Sequence, residues 1–173
     1  MSMEALKERI RHVPDFPKAG ILFYDVTTLL KDREGFRMAV EAMASPHADA
    51  GVDLVVGIES RGFIFGAAVA DRLKTGFAPV RKIGKLPSKT RRASYQLEYG
   101  TDALEIHEDA VGRGLRVLVV DDLLATGGTV SAAIDLVNKL GGTVVGIGFL
   151  VELTFLKGRE RLREQEAFSL VQF

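Results

Sequence analysis

Short apolar runs alternate with helical segments along this chain, and this alternation limits the folds open to it. DLVVGI (53–58) precedes a helical pattern over 61–74, and RVLVV (116–120) comes shortly before another over 128–140. Continuous apolar runs of this length are typical of strands buried on both faces in a parallel sheet covered by helices. The sequence therefore predicts an α/β fold, a parallel sheet core flanked by helices.

Composition narrows the class of protein. The 173 residues include 23 Lys plus Arg, 23 Asp plus Glu and no cysteine. Zero net charge argues against nucleic-acid binding, and the lack of cysteine excludes disulfides and thiol catalysis. No apolar run approaches the ~20 residues that span a bilayer, and the charged N-terminal segment is not typical of a secretory signal. We expect one cytoplasmic domain over residues 1–173, without nucleic-acid or membrane partners.

A turn of small residues follows the apolar run 116–120, in the stretch VVDDLLATGGTV (119–130). In open parallel sheets, ligands bind beyond the carboxyl ends of the strands. Glycines bring backbone N–H groups close to a ligand, threonine hydroxyls add donors, and the next helix contributes the positive end of its dipole. The residues predicted to bind a phosphate monoester are Ala125, Thr126, Gly127, Gly128 and Thr129.

The adjacent acids Asp121 and Asp122 suit the sugar of the same ligand. Carboxylates accept hydrogen bonds from hydroxyl pairs and can hold hydrated Mg²⁺. We predict that both acids bind ribose hydroxyls while the turn binds the 5-phosphate. A helix-capping aspartate beside a glycine turn is the simpler structural interpretation, but two acids followed by T-G-G-T after a buried strand form a more specific pattern.

VVDDLLATGGT resembles the phosphoribosyl-pyrophosphate (PRPP) motif of the type I phosphoribosyltransferases. PDFPKAGILFYDVTTLLKD, GIESRGFIFG and ASYQLEYGTDALEIHEDA resemble the branch of that family that uses adenine. The resemblance implies a five-stranded parallel core, a small N-terminal hood (1–32), a flexible catalytic loop (83–101) and a homodimer. It also implies transfer of 5-phosphoribosyl from PRPP to N9 of adenine, giving AMP and pyrophosphate, with Mg²⁺ bound together with PRPP.

Two segments are candidates for the pyrophosphate site. GIESRG follows the strand 53–58, where the simpler interpretation is a helix with Ser60 as N-cap. The resemblance implies that this turn binds pyrophosphate across a cis Glu59–Ser60 peptide, and that Arg61 reaches the adenine pocket. The cations after the next strand are either a solvated face or neutralise the leaving group. The predicted pyrophosphate-binding residues are Glu59, Ser60, Arg61, Arg81, Lys82 and Lys85.

Base binding is implied by the resemblance alone. An apolar slot of Ile21 against Leu123 would hold the purine, with Phe23 and Arg61 beside it, although core packing is the commoner fate of such apolar residues. A phosphoribosyltransferase for xanthine or orotate is an alternative, as is a PRPP-sensing regulator that binds DNA. The hood and GIESRGFIFG favour adenine, and the chain has no spare length for a DNA-binding module.

Residues 83–101 are polar, basic and without periodicity, which predicts a long loop without regular structure. The resemblance implies that this loop closes on the substrates and carries Glu98 over the reaction centre. Glu98 is the candidate catalytic residue, as proton acceptor from adenine or as stabiliser of positive charge on the sugar. Tyr95 and Tyr99 belong to the same loop.

Overall fold

A seven-stranded sheet forms the centre of the computed structural model, which describes residues 3–96 and 100–173. The strands are β1 Arg11–Pro14, β2 Leu22–Asp25, β3 Leu54–Ile58, β4 Gly76–Lys82, β5 Thr90–Gln96, β6 Thr101–His107, β7 Arg116–Leu124, β8 Thr143–Glu152 and β9 Ala167–Gln172. The helices are α1 Met3–Lys7, α2 Thr27–Leu30, α3 Arg33–Ala44, α4 Arg61–Leu73 and α5 Gly128–Lys139, with 3₁₀ turns at Ser45–His47, Thr154–Leu156 and Gly158–Leu162.

The sheet has the order β5-β6-β4-β3-β7-β8-β9 in the described part of the chain. β4, β3, β7, β8 and β9 are parallel neighbours, whereas β6 and β5 continue the sheet as an antiparallel hairpin. Buried residues of α5 pack on one face, and those of α1, α3 and α4 pack on the other. This confirms the predicted parallel core with helices on both faces.

Glycines let α4 lie unusually close to the sheet. A Cβ on Gly66 would lie 2.9 Å from the Phe77 ring, and a Cβ on Gly62 would lie 2.7 Å from Asp121 Oδ1. Because real side chains do not tolerate such contacts, only glycine allows this packing. The first turn of α4, which begins at Arg61, is therefore held against the end of β7.

The first 13 residues do not form one amphipathic helix, although the spacing of Leu6, Ile10 and Val13 is typical of such a helix. The helix ends at Lys7, and β1 and β2 form an antiparallel pair with Val13 opposite Phe23. Tyr24 of this hairpin stacks on Phe173, with 4.0 Å between ring centroids. Aromatic contacts to the far end of the chain thus override a local helical pattern.

The predicted absence of regular structure over 83–101 is wrong for Thr90–Gln96, which forms β5 and pairs with β6. Ala93 is the one buried residue of this strand, so the sequence carries no apolar alternation. Glu98 and Tyr99 lie outside the described residues. Within residues 3–96 and 100–173, no helix combines the length and hydropathy needed to cross a membrane.

Candidate active site

The carboxyl ends of β3, β4 and β7 meet at one edge of the sheet. β3 is the parallel neighbour of both other strands, with Val56 opposite Ala78 on one side and Val119 on the other. The turn after β3, the cations at the end of β4 and the 121–129 segment are thereby brought together. Most of the predicted ligand-binding residues in the described chain lie along this edge.

The sequence predicts that the two acids follow the strand, but in the structure they lie inside β7. β7 extends to Leu124 because it pairs with β8, with Asp121 opposite Phe149 and Leu124 opposite Glu152. Asp121 and Asp122 are each only 7% exposed. Burial, followed by the charge of Asp122, raises the pKa of Asp121 well above its ordinary value.

Arg61 partly compensates the charge of this pair. Its Nε donates to Asp122 Oδ2 at 2.5 Å, and the Asp122 N–H donates to Asp121 Oδ1 at 2.9 Å. Asp121 receives no such guanidinium contact among the described residues. The negative charge of the pair is therefore balanced at Asp122 and not at Asp121.

The small-residue turn has the geometry of an anion cradle. Gly127, with φ of +83°, is the N-cap residue of α5 and has no side chain to cap the first backbone N–H groups of that helix. Those N–H groups have no partner within the helix and suit an anion. Gly127 and Gly128 are buried, whereas Thr126 is exposed and Thr129 is half-buried.

The turn after β3 and the cations at the end of β4 form one cluster. The Glu59–Ser60 peptide is cis, as the resemblance implied, and Ser60 is the N-cap residue of α4 without a capping side-chain hydrogen bond. Glu59 accepts from Arg81 Nε and Nη2, both at 3.2 Å, and from the Lys82 N–H at 3.0 Å. Burial alone would raise the pKa of Glu59, but these hydrogen bonds hold it below its ordinary value.

Arg81 and Lys82 are thus partly neutralised by the protein itself. Lys82 Nζ lies 3.2 Å from Asp102 Oδ2, which also accepts from the Tyr95 hydroxyl at 3.1 Å. Lys85 contributes its carbonyl oxygen to Arg81 Nη1 at 3.2 Å and keeps an exposed side chain. Asp102 was not predicted from the sequence, since a single aspartate at the start of a strand carries no local signal.

A partly enclosed cavity of about 110 Å³ is lined by Asp122 and by all four residues predicted to bind adenine. Its complete lining is Ile21, Leu22, Phe23, Tyr24, Val26, Arg61, Asp122, Leu123, Val151 and Leu153. The Arg61 guanidinium lies 6.0 Å from the Phe23 ring centroid. Val151 was not predicted, although it is the residue of β8 opposite Leu123.

Tyr95 lies against the turn formed by residues 125–129, named here the phosphate turn after its predicted ligand. A Cβ on Gly128 would lie 3.2 Å from Tyr95 Cδ2, so the ring contacts the start of α5. Burial raises the pKa of this hydroxyl. The described end of the predicted loop is therefore docked on the phosphate turn, and Glu98 and Tyr99, which follow directly, lie outside the described residues.

A sheet edge with paired acids, a phosphate turn and a cation cluster defines a class of protein. Residues 26–171 match the phosphoribosyl transferase domain, and the chain belongs to this family. Its similarity to adenine phosphoribosyltransferases spans the whole chain. It is 58% identical to the adenine phosphoribosyltransferase of Acidobacterium capsulatum, over 100% of this chain and 96% of that protein.

Solved structures agree with this assignment. The adenine phosphoribosyltransferase of Thermoanaerobacter pseudethanolicus is 53% identical with a TM-score of 0.96, covering 99% of this chain and 100% of its own. The Saccharomyces cerevisiae enzyme, complexed with D-2,5-dideoxy-2,5-imino-altritol 1,6-bisphosphate and adenine, is 40% identical with a TM-score of 0.91, covering 97% of each chain. Within the domain family, this chain groups with the adenine phosphoribosyltransferases.

Proposed function

We propose that this protein transfers the 5-phosphoribosyl group of PRPP to N9 of adenine, giving AMP and pyrophosphate. One observation carries the proposal: the apolar cavity and the phosphate turn are joined by Asp122 and Leu123, consecutive residues of β7. A purine in the cavity and a ribose 5-phosphate on the turn would therefore lie on adjacent parts of one strand end. The names of the relatives support the same activity.

Each group of residues has a proposed role. Asp121 and Asp122 accept hydrogen bonds from the ribose hydroxyls, and the 125–129 turn binds the 5-phosphate. The Glu59–Arg61 turn, Arg81, Lys82 and Lys85 bind pyrophosphate. The bond from sugar C1 to the pyrophosphate oxygen breaks and the bond from C1 to N9 forms, so positive charge develops on the sugar and negative charge on the leaving group. The cation cluster stabilises that negative charge.

Glu98 is proposed to act over the reaction centre, either accepting the proton that adenine loses at N9 or stabilising the sugar cation. The support is the sequence S-Y-Q-L-E-Y-G, since the residue lies outside the described part of the structure. Ile21 and Leu123 are proposed to enclose the purine ring, and Phe23 and Arg61 to border it. Residues 83–101 are proposed to close over the bound substrates.

The donor set fits a Mg²⁺ ion that arrives with PRPP. In the described residues, no group of three or more His, Cys, Asp or Glu side chains could hold a metal. Mg²⁺ commonly binds through one or two carboxylates together with substrate phosphates. Asp121 and Asp122 are the proposed carboxylates, and Asp122 is also paired with Arg61. When bound, the ion would neutralise pyrophosphate charge.

The protein is also proposed to form a homodimer and to be located in the cytoplasm. The dimer rests on the family resemblance, and the cytoplasmic location is the default for a sequence whose apolar runs are all too short to span a membrane. Size-exclusion chromatography with light scattering tests the dimer, for which the expected mass is twice the 18.8 kDa of one chain. A monomer at every concentration would contradict it.

The activity is tested by mixing the protein and Mg²⁺ with PRPP and one base at a time, following pyrophosphate release. Adenine should give turnover, and xanthine and orotate should not. Turnover with either of those bases would favour the corresponding alternative enzyme. PRPP binding without turnover on any base, together with DNA binding, would favour the regulator.

A further inference from the structure

The 3₁₀ turn Gly158–Leu162 packs directly against the phosphate turn. A Cβ on Gly127 would lie 2.7 Å from the Gly158 carbonyl oxygen, and a Cβ on Gly158 would overlap the Ala125 carbonyl oxygen. Because neither residue has a Cβ, the two backbones are in contact. This contact fixes the position of the residues that follow Gly158.

Arg161 lies along the outer side of the phosphate turn. Its Cβ and Cδ are both 3.4 Å from the Cβ position of Gly127, and its Nη1 is 3.9 Å from that of Gly128. The side chain therefore runs from the N-cap residue of α5 toward the first helical residue. Among the ion pairs of the described residues, none involves Arg161.

The electrostatics of the turn favour a cation at this place. The donors of the turn itself are neutral backbone N–H groups and threonine hydroxyls, whereas a phosphate monoester carries roughly −1.5 to −2 charges at pH 7. The nearest acids on the same strand end are Asp121 and Asp122, which would repel that charge. A guanidinium presents parallel donors that match phosphate oxygens and stays protonated.

We propose that Arg161 binds the 5-phosphate of the ribose, as the cationic member of an otherwise neutral cradle. The inference rests on the proposed function, because it assigns a further binding residue to the same site. It was not predicted from the sequence, where GRERLRE is a mixed-charge segment some 30 residues after the motif.

Arg163 provides a matched control. Together with Arg161, Ser131 and Ile134, it lines a cavity of about 350 Å³ beside α5, which also contains Glu160, Glu164 and Gln165. Its side chain is exposed, and it does not approach Gly127 or Gly128. A general change of surface charge would affect the two arginines equally, whereas a direct phosphate contact would involve Arg161 alone.

The test compares wild type, Arg161→Gln, Arg161→Lys and Arg163→Gln by calorimetry with ribose 5-phosphate and with pyrophosphate. Arg161→Gln should weaken ribose 5-phosphate binding about three- to tenfold. This loss of affinity is larger than that expected for an exposed ion pair and smaller than that for a buried charge-assisted hydrogen bond. Pyrophosphate affinity should not change. The ribose 5-phosphate affinity of Arg161→Gln should also depend less on salt than that of wild type. Arg161→Lys, which keeps the charge, should lose less affinity than Arg161→Gln.

Wild-type ribose 5-phosphate affinity in Arg161→Gln would overturn the inference and leave the proposed function intact. Equal losses for ribose 5-phosphate and pyrophosphate, or an equal loss in Arg163→Gln, would also overturn it, because they indicate a general effect. A wild-type protein that binds neither PRPP nor ribose 5-phosphate would overturn the proposed function and this inference together.

Discussion

The Arg61 guanidinium donates to the Asp122 carboxylate across 2.5 Å and so joins the start of α4 to the end of β7. The carboxylate side chain is 10% exposed and the arginine side chain 40% exposed. Both residues line the apolar cavity proposed for adenine. The pair therefore couples the wall of the base site to one of the acids proposed to bind ribose.

We predict measurable coupling between Arg61 and Asp122. In a double-mutant cycle with Arg61→Ala and Asp122→Asn, the unfolding free energies should deviate from additivity by roughly 0.5–2 kcal/mol, because the residues are in contact. Denaturant titration measures this. The exposed Arg72–Glu41 pair is the control and should show weaker coupling than Arg61 and Asp122. Additive free energies at Arg61 and Asp122 would contradict the prediction.

Asp121→Asn should stabilise the free protein while weakening PRPP binding. Burial and the neighbouring Asp122 raise the pKa of Asp121 in the folded state, so folding opposes its ionisation. Stability is then lost as pH rises from the unfolded pKa to the folded pKa, and the isosteric amide avoids this loss. Asp121→Asn should therefore raise the free energy of unfolding at pH 7.

Thermal unfolding at pH 7 and PRPP calorimetry check both parts of the Asp121 prediction. In Asp121→Asn, thermal stability should rise and PRPP affinity should fall. Asp109→Asn, at an exposed position, should change neither quantity. Unchanged PRPP affinity in Asp121→Asn, or in the double variant with Asp122→Asn, would remove the ribose assignment.

Glu98→Gln tests the proposed catalytic residue. If Glu98 accepts a proton or faces a developing cation, kcat should fall by about 10²–10⁴. The KM values for PRPP and adenine should change far less, because the contact forms mainly in the transition state. Leu97→Ala is the neighbouring control without a change in charge. Full kcat in Glu98→Gln would remove this residue from the mechanism.

Glu105 should anchor the segment that precedes β5. It is 1% exposed, and its Oε1 accepts from the Gly84 N–H at 2.9 Å and the Leu86 N–H at 3.3 Å. Burial alone would raise the pKa of this carboxyl, but the hydrogen bonds hold it below its ordinary value. Its stabilising effect is therefore present above the unfolded pKa and lost as pH falls through the folded pKa.

Glu105→Gln should accordingly lower the free energy of unfolding by about 1–3 kcal/mol at neutral pH. The free energy of unfolding of this variant should also fall less steeply than that of wild type as the pH is lowered. Denaturant titrations across the acid range measure both effects. The control is Glu108→Gln, since the Glu108 side chain is 39% exposed in its pair with Arg91. An equally steep fall in wild type and Glu105→Gln would show that Glu105 is not the responsible group.

Hydrogen exchange over residues 83–101 should slow when AMP is bound. The prediction follows from the proposal that this segment closes over the substrates. Backbone amides of β3 near Val55, which is buried between β4 and β7 in the sheet, serve as the internal reference and should not change. Equal exchange over 83–101 with and without AMP would mean that this segment is no lid.

Elements with local sequence signals could be predicted before the fold was known. β3 and residues 117–120 of β7 are continuous apolar runs, and α5 follows a turn whose glycines and threonines indicate an anion site. Such patterns depend on neighbours a few residues away, so they survive without knowledge of the fold. The parallel core, the helices on both faces and the placement of the phosphate turn at a sheet edge were all predicted in this way.

Tertiary structure alone decided the features that depend on distant partners. Asp121 and Asp122 lie within β7 because β8 extends the pairing, and Thr90–Gln96 forms a strand because β6 provides its hydrogen-bond partners. Arg161 reaches the phosphate turn because Gly127 and Gly158 let two backbones touch. Contacts between residues far apart in the chain leave no periodic trace in either segment, so only the folded arrangement shows them.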